Sequence, residues 1–210
     1  MRVIAIDGPA GAGKSTVAKA LAKRLDLQYL DTGAMYRGVA FAALRRGIDP
    51  SEEAAVARVA NDVELTVDES GVSVDGADAT IEIRGPEVTR AVSVVAANPG
   101  VRAEMRRRQR EWAEARGGGV IEGRDIGSVV FPDAELKVYL TADPEVRAQR
   151  RHKEVADLRY EDVAASIAER DARDEGRAHG PLVEPDDAVT VDTTGRSVDE
   201  VVAEIVKLLP

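Results

Sequence analysis

Apolar positions along the chain switch repeatedly between a strand-like and a helical period. The first run, Arg2–Asp7, is apolar and β-branched, which is typical of a short buried strand. The residues that follow it place Val17, Leu21 and Leu25 on one face of a helix. Further strand-like runs occupy residues 28–30, 120–122, 135–140 and 189–192, and helical runs occupy residues 34–44, 51–61, 87–97, 101–116, 144–151, 160–174 and 197–208. This alternation predicts an α/β fold with a mainly parallel sheet flanked by helices, whose ligands bind at the carboxyl ends of the strands.

Polar residues just before several helical runs predict where those helices begin. Asp31 or Thr32 is the expected N-cap of the helix that starts near Ala34. Ser51 is the expected N-cap of the next helix, and Ser197 that of the closing helix.

Residues 63–83 have a different pattern. Alternating runs at 63–67, 72–74 and 79–83 are separated by turns at 68–71 and 75–76. This spacing predicts a small antiparallel meander, distinct from the parallel sheet. An inserted subdomain is the simplest explanation, and a decorative surface hairpin is the alternative that the pattern leaves open.

A glycine-rich segment joins the first strand to the first helix. Its sequence, GPAGAGKST, fits G-x-x-x-x-G-K-[ST] and comprises Gly8, Pro9, Ala10, Gly11, Ala12, Gly13, Lys14, Ser15 and Thr16. Glycines let backbone N–H groups turn towards a phosphate, and the helix N-terminus adds partial positive charge there. Lys14 can reach the β- and γ-phosphates, and the Ser15 hydroxyl can bind Mg²⁺. The segment therefore predicts a site for a nucleoside triphosphate, with Mg²⁺ as cofactor.

Net charge limits the possible partners. The chain has 29 Lys and Arg against 38 Asp and Glu, a net charge of −9, which disfavours general nucleic-acid binding. The arginines are nevertheless grouped at 102–110, 147–151 and 170–177, a distribution that favours a local anionic ligand. The absence of cysteine excludes thiol catalysis and disulfides. With no leader-like segment and no long apolar run, we expect a cytoplasmic, monomeric protein with no membrane partner.

Among the classes that carry such a loop, a kinase of a small anionic acceptor fits best. A GTPase would need a base-reading N-K-x-D, and the chain has no Asn-Lys pair. Two groups of arginines, Arg147, Arg150 and Arg151 and then Arg170 and Arg173, suggest a lid over the triphosphate. The lid would comprise about residues 151–174, and residues 152–169 between the two groups would be its mobile part. Glu122, at a strand end, could hold the water shell of Mg²⁺ or could be only a strand-end carboxylate.

Four segments in order carry a family resemblance: I-D-G-P-A-G-A-G-K-S-T, D-T-G-A-M-Y-R, G-R-D-I-G-S-V-V-F-P-D-A and E-R-D-A-R-D-E-G-R. Together they resemble the bacterial cytidylate kinases over residues 4 to about 192. V-D-E-S-G-V-S-V-D-G resembles the monophosphate-binding insert of that family. Thr32 and Ser128 replace another hydroxyl residue found in some members, and both keep the hydroxyl. The resemblance implies transfer of the γ-phosphoryl group of ATP to CMP or dCMP.

The resemblance also implies roles for individual residues. Thr32, Arg37 and Arg124 would hold the acceptor phosphate, and Ser93, Arg102 and Asp125 would read the cytosine. Arg170 and Asp174 would meet the sugar, Arg177 would lie near the phosphates, and Tyr36 would line the acceptor pocket. The expected catalytic set is Lys14, Arg124, Arg170, Arg173 and Arg177. Asp125 could instead only orient Arg124, and Arg37 could be an exposed helix arginine.

The expected chain organisation is a core of residues 1–33, 85–150 and 175–210, with an acceptor-binding region of about 34–84 and the lid. Three alternatives remain open. One is a kinase of another small acceptor, such as UMP or shikimate, and another is a regulatory nucleotide-binding module without transfer activity. A third is a nucleic-acid-binding ATPase, which RNA- or DNA-stimulated ATP turnover would favour.

Overall fold

The computed structural model describes residues 1–68, 70–154 and 158–209. They fall in two compact units, one formed by Met1–Gln28 with Arg116–Pro210 and the other by Tyr29–Ala115. Glu69, in the first predicted turn of the meander, and residues 155–157, in the predicted lid, lie outside the described residues. Within the described ranges, no helix combines the length and the apolar character needed to cross a membrane.

Strands and helices alternate as the apolar pattern predicts. The strands are β1 (Arg2–Asp7), β2 (Tyr29–Asp31), β3 (Leu65–Asp68), β4 (Gly71–Val74), β5 (Ala77–Asp78), β6 (Gly118–Glu122), β7 (Leu136–Thr141) and β8 (Val189–Asp192). The α-helices are α1 (Lys14–Leu25), α2 (Thr32–Arg45), α3 (Glu53–Asp62), α4 (Pro86–Ala97), α5 (Pro99–Arg116), α6 (Pro144–Glu154), α7 (Tyr160–Glu175) and α8 (Val198–Lys207). A 3₁₀ turn at Glu82–Arg84 and a π-helical turn at Ile126–Val130 complete the described elements.

In the first unit, β6, β1, β7 and β8 are hydrogen-bonded neighbours in that order, and all run parallel. Strand β1 is central, and its residues 3–7 are buried. Each strand reads as a nearly continuous apolar run because helices cover a parallel sheet on both faces. The carboxyl ends of β1 and β6 meet at the pair Ile6 and Glu122, so the loops that follow them leave the sheet side by side. The predicted parallel α/β fold is confirmed.

The meander of the second unit is confirmed, but its last strand is Ala77–Asp78 rather than the predicted 79–83, where Glu82–Arg84 forms a 3₁₀ turn. Strands β3, β4 and β5 pair antiparallel in that order. Strand β5 ends at Asp78 because Asp78 accepts hydrogen bonds from the backbone and the hydroxyl of Thr80 and turns the chain. The Thr80 hydroxyl then accepts from the Val72 N–H at 2.9 Å in place of a backbone carbonyl.

Two of the three predicted helix caps are confirmed. The Asp31 side chain accepts from the Ala34 N–H at 2.9 Å, and Ser197 forms a capping box with Glu200. The prediction for Ser51 is wrong. Its N–H and hydroxyl donate to Asp49, and α3 begins two residues later without a side-chain cap. Ser51 precedes the helix as part of an Asx turn, so its short side chain is already engaged.

Helix α5 begins at Pro99 rather than at the predicted residue 101. The Asn98 side chain accepts from the Gly100 N–H at 2.9 Å, so Asn98 caps the helix while Pro99 occupies its first position, where no N–H is needed. Met105 is buried as predicted, whereas Trp112 is only half-buried.

Candidate active site

The glycine-rich segment connects β1 to α1 and folds as a tight loop. Gly8 has φ of +143°, and a Cβ there would lie 2.1 Å from the Leu140 carbonyl oxygen. Gly11 has φ of +76°, and a Cβ there would lie 2.9 Å from the Arg147 carbonyl oxygen. These positions exclude side chains because β7 and α6 pack directly against the loop. The predicted strand, loop and helix are therefore present with the geometry of a phosphate-binding loop.

Lys14 is the first residue of α1 and its side chain is buried. Its ammonium donates to the Pro9 carbonyl oxygen at 2.7 Å, across the loop. Burial, reinforced by the positive charges of Arg124 and Arg170, lowers the pKa of Lys14 to about 7, although the charges of Glu122 and Asp7 act to raise it. Lys14 is thus buried beside two other cations, and a bound polyphosphate would relieve the repulsion among them.

Asp174 on α7 organises two of the predicted arginines. Its carboxylate accepts from Arg124 Nε at 2.8 Å and from the Arg177 guanidinium, and its side chain is 1% exposed. Burial raises the pKa of Asp174, but the charges of Arg124, Arg177 and Arg170 outweigh it and leave that pKa below its usual value. Asp174 is therefore ionised and holds Arg124 and Arg177 together, whereas the sequence suggested only a sugar contact for it.

The predicted lid arginines have two different environments. Arg147 donates to Asp171 and, at 3.1 Å, to the Ala10 carbonyl of the phosphate loop. Arg150 donates to the Thr193 hydroxyl at 2.9 Å and to the Thr193 carbonyl at 2.8 Å. Arg151 and Arg173 instead form ion pairs with neighbours on their own helices, Glu154 and Glu169 respectively. The Arg173 side chain is 53% exposed, whereas Arg170 lies close enough to Lys14 for its charge to lower the pKa of Lys14.

Three residues at the loop were missing from the sequence-based set. Asp171 accepts from the Ala10 N–H at 3.1 Å, and the Thr193 hydroxyl donates to the Ala12 carbonyl at 3.0 Å. Asp7, the last residue of β1, accepts from two backbone N–H groups of the segment after β6. Their partners are more than a hundred residues away in sequence, so local patterns did not reveal them. A carboxylate inside the buried run of β1 was the one available signal.

The second unit contains the remaining predicted acceptor residues. Arg37 is half-buried and donates to the Ile83 carbonyl at 2.9 Å and the Thr89 hydroxyl at 3.0 Å, so it is not an exposed helix arginine. The Arg102 guanidinium is buried, with its carbon 5.8 Å from the centre of the Tyr36 ring. Two further predicted residues, Thr32 and Ser93, are also buried.

Two oxygen donors of the first unit fit a magnesium ion that is bound mainly through nucleotide phosphates. Ser15 is exposed at the start of α1, and Glu122 is buried at the end of β6, close enough for its charge to raise the pKa of Lys14. Hydroxyl and carboxylate oxygens are the ligands that Mg²⁺ prefers, and one or two of them suffice when phosphates supply the rest. Among residues 1–68, 70–154 and 158–209, no cluster of three or more His, Asp or Glu could hold a metal by itself.

A phosphate-binding loop on a parallel α/β sheet, with arginines gathered around its lysine, defines a P-loop kinase. The sequence pattern of the cytidylate kinases matches residues 4–210. The chain is 51% identical to a cytidylate kinase of Pelotomaculum thermopropionicum over 97% of this chain and 93% of that protein. It is 47% identical to a cytidylate kinase of Desulfitobacterium hafniense over 98% of this chain and 91% of that protein. The chain belongs to the cytidylate kinase family, and the resemblance found in the sequence is confirmed.

The fold also occurs in a solved structure of distant sequence. An uncharacterized protein from Eubacterium ventriosum is 13% identical, with a TM-score of 0.53, and the match covers 99% of this chain and 98% of that one. This similarity concerns the fold alone.

Proposed function

We propose that the protein transfers the γ-phosphoryl group of ATP to CMP or dCMP and releases ADP with CDP or dCDP. The observation that carries the proposal is the charge around Lys14, whose pKa of about 7 reflects burial beside Arg124 and Arg170. Three cations grouped at one place are suited to two phosphorylated ligands that must approach each other. Membership of the cytidylate kinase family supports a cytidine monophosphate as the acceptor.

On the donor side, the backbone N–H groups of residues 8–16 would surround the β- and γ-phosphates. Lys14 would leave the Pro9 carbonyl, to which it donates at 2.7 Å, and would neutralise charge on the transferring group. Mg²⁺, when bound with ATP, would polarise the phosphate oxygens, and Ser15 and Glu122 are the oxygen ligands that this chain would offer it. Thr16, the last of residues 8–16, is the third residue of α1.

On the acceptor side, Arg124 and Arg177 would grip phosphate oxygens with their planar forks while Asp174 keeps them in place. Arg170, whose charge lowers the pKa of both Lys14 and Asp174, would stabilise the charge that spreads over the transferring group. A strong general base is not required, because the acceptor phosphate is already anionic.

The cytosine would be read by a buried carboxylate that accepts a hydrogen bond from the base. Asp125 is 4% exposed and follows Arg124 directly, and a carboxylate is the natural acceptor for the exocyclic amine of cytosine. Ser93 and Arg102 are proposed to bind the base, Thr32 and Arg37 to bind the acceptor phosphate, and Tyr36 to line the acceptor pocket. The division into core, acceptor region and lid, the monomeric state, the cytoplasmic location and the lack of a nucleic-acid partner stay predictions.

A panel of acceptors tests the proposal. ADP release from ATP and Mg²⁺ is measured with CMP, dCMP, UMP, AMP, GMP, shikimate and no acceptor, and repeated with RNA or DNA added. Strong turnover with CMP and dCMP alone is the expected result. Turnover with a different acceptor would still support the proposed donor site, but it would contradict the base-reading role of Asp125. No turnover with any acceptor would favour a nucleotide-binding module. Stimulation of ADP release by RNA or DNA would favour a nucleic-acid-binding ATPase.

A variant of Asp125 separates base reading from phosphate binding. Asp125→Ala should raise the KM for CMP by roughly tenfold or more, because the exocyclic amine loses a charged partner, and should reduce the preference for CMP over UMP. The KM for ATP should stay within about twofold. A fall in ATP affinity with unchanged CMP kinetics would show that Asp125 belongs to the donor site.

A further inference from the structure

The two residues proposed to contact the acceptor, Arg124 and Asp125, lie in a short loop that leaves the sheet after β6. The Gly123 N–H donates to the Ile6 carbonyl at 3.0 Å, which extends the pairing of β6 with β1 by one residue. Arg124 and Asp125 then leave the sheet, and the π-helical turn Ile126–Val130 follows. The start of this loop is therefore held by the backbone of β1.

The end of the loop is held by β1 as well, through the side chain of Asp7. One carboxylate oxygen of Asp7 accepts from the Ile126 N–H at 2.9 Å, and the other accepts from the Gly127 N–H at 2.8 Å. Asp7 is 2% exposed, so water does not compete for these bonds. At the start of a helical turn these N–H groups have no carbonyl partner, and a carboxylate satisfies both of them at once.

We infer that Asp7 is a positioning residue that sets the placement of Arg124 and Asp125 and thereby the affinity and base selectivity for the acceptor nucleotide. The segment of residues 123–127 is fastened at Gly123 by the Ile6 carbonyl and at Ile126 and Gly127 by Asp7. Only the two acceptor-contacting residues lie between these attachment points. The inference rests on the proposed function, since it takes the acceptor to be bound by this loop.

The environment of Asp7 indicates that this placement has an energetic cost. Burial, together with the charge of Asp125, raises the pKa of Asp7 to about 6, although the two backbone N–H groups and the charge of Lys14 act to lower it. A buried carboxylate next to another carboxylate is unfavourable unless its hydrogen bonds are needed. An asparagine at position 7 would avoid that cost but could accept only one of the two hydrogen bonds, and would direct its amide hydrogens at the other N–H.

The test compares the full-length chain with Asp7→Asn and Asp7→Glu in steady-state assays that vary CMP and ATP separately. We expect Asp7→Asn to raise the KM for CMP by about tenfold or more and to reduce the ratio of kcat/KM for CMP over UMP. The KM for ATP should change by no more than about threefold. Asp7→Glu keeps the charge but moves the carboxylate by one methylene, so it should also weaken CMP binding if position is what matters.

A matched control is Asp171→Asn, in which a buried carboxylate that holds Ala10 of the phosphate loop is changed instead. Its effect should fall on ATP rather than on CMP. Thermal unfolding shows whether each variant is folded, with ADP binding as a second check for the Asp7 variants, and Asp7→Glu serves as the test if Asp7→Asn does not fold. An unchanged KM for CMP in a folded Asp7 variant, or equal losses for CMP and ATP, would overturn the inference alone. Failure of the unmodified chain to use CMP would overturn the proposed function and the inference with it.

Discussion

At the scale of single residues, the site is governed by buried charges that stabilise or disturb one another. Lys14 is held away from its usual pKa by burial and by two arginines, and Asp174 stays ionised only because the arginines around it outweigh its burial. Replacing one of the arginines around Asp174 would leave a buried charge uncompensated, which is the most costly type of change in a protein interior. The residues of this site are therefore strongly interdependent, and single substitutions should have larger effects than their contacts suggest.

The lowered pKa of Lys14 predicts that nucleotide binding takes up a proton. Between about pH 7 and the ordinary lysine pKa of about 10.4, Lys14 is neutral in the free protein. Bound phosphates would restore its charge. ATP affinity should therefore fall as pH rises through this window, and binding at pH 8 should take up close to one proton. Below pH 6, Lys14 is already charged and uptake at this group should vanish.

Calorimetric titration with ATP at pH 8, in two buffers of different ionisation enthalpy, measures this uptake. Phosphates with a second pKa near 6 are fully ionised at pH 8 and do not contribute. Lys14→Arg is the control, because a guanidinium keeps its proton at this pH and should take up none. Equal heats in the two buffers for the unmodified chain would contradict the prediction.

At the scale of elements, α6 and α7 fasten the tip of the phosphate loop. Asp171 on α7 accepts from the Ala10 N–H and from Arg147 on α6, while Arg147 also donates to the Ala10 carbonyl. Both backbone groups of one loop residue are thus held by a buried ion pair. The apolar contacts of Ala10 with Ala148, Val163 and Ile167 add to this attachment.

We expect Asp171→Asn to loosen the loop tip and to raise the KM for ATP by roughly tenfold, the scale of a lost charged hydrogen bond. The KM for CMP should stay within about twofold. Asp162→Asn is a matched control on the same helix, since this exposed carboxylate pairs only with its neighbour Arg159 among the contacts of the described chain. Equal effects of the two substitutions would show that the attachment of Ala10 is unimportant.

Helix α8 offers a stability change that should leave the site untouched. Ser197→Ala removes one half of the capping box and should lower the free energy of unfolding by about 1 kcal/mol. For a chain of this size the midpoint of thermal unfolding should fall by about 2 to 4 °C. Ser51→Ala, which removes a hydroxyl that caps no helix, should change it by much less. A similar loss in both variants would contradict the assigned role of the capping box.

At the scale of the whole molecule, the local charge around Lys14 determines which ligands bind more than the net charge of the chain does. The chain carries a net charge of −9, yet Lys14, Arg124, Arg170 and Arg177 gather around the carboxylates of Asp174 and Glu122. Because this cluster is buried, salt screens it far less than the acidic surface. A ligand that binds only the folded chain at this cluster should therefore stabilise the whole chain.

CMP added without ATP should raise the free energy of unfolding of the protein, and the other nucleoside monophosphates should raise it less. At one hundred times its dissociation constant, a ligand adds about 2.7 kcal/mol to the free energy of unfolding. The unfolding midpoint should then rise by roughly 5 to 10 °C. Differential scanning fluorimetry with equal concentrations of CMP, UMP, AMP and GMP checks this, with ADP as the donor-site reference. A shift for GMP as large as that for CMP would contradict base recognition.

Much of the fold was predictable because each strand and helix carries its own apolar period. Strand β8 was predicted with its observed bounds, Val189–Asp192, and most helices began within two residues of the prediction. The errors occur where side chains form local hydrogen bonds, which the apolar periodicity does not predict. Ser51 is engaged by Asp49 before it can cap α3, and Asp78 and Thr80 end the meander early.

The candidate site was predictable only where its residues are consecutive. The motif around Lys14 and the pair Arg124 and Asp125 are local strings, and the family match supports that reading of the chain. Arg173 was included with Arg170 as a lid arginine, but its side chain on α7 is exposed and pairs with Glu169. Position within a motif does not reveal which helix face is buried against the loop.

The local order of residues was enough to establish a phosphate-binding loop, an alternating α/β chain, a capped closing helix and the resemblance to the cytidylate kinases. These features depend on neighbours in the chain, so they can be read from spacing. The roles of Asp7, Asp171, Asp174 and Thr193 emerge only on folding, because parallel strands bring distant segments to one edge of the sheet. There, burial away from water makes each hydrogen bond and ion pair strong enough to orient its partner.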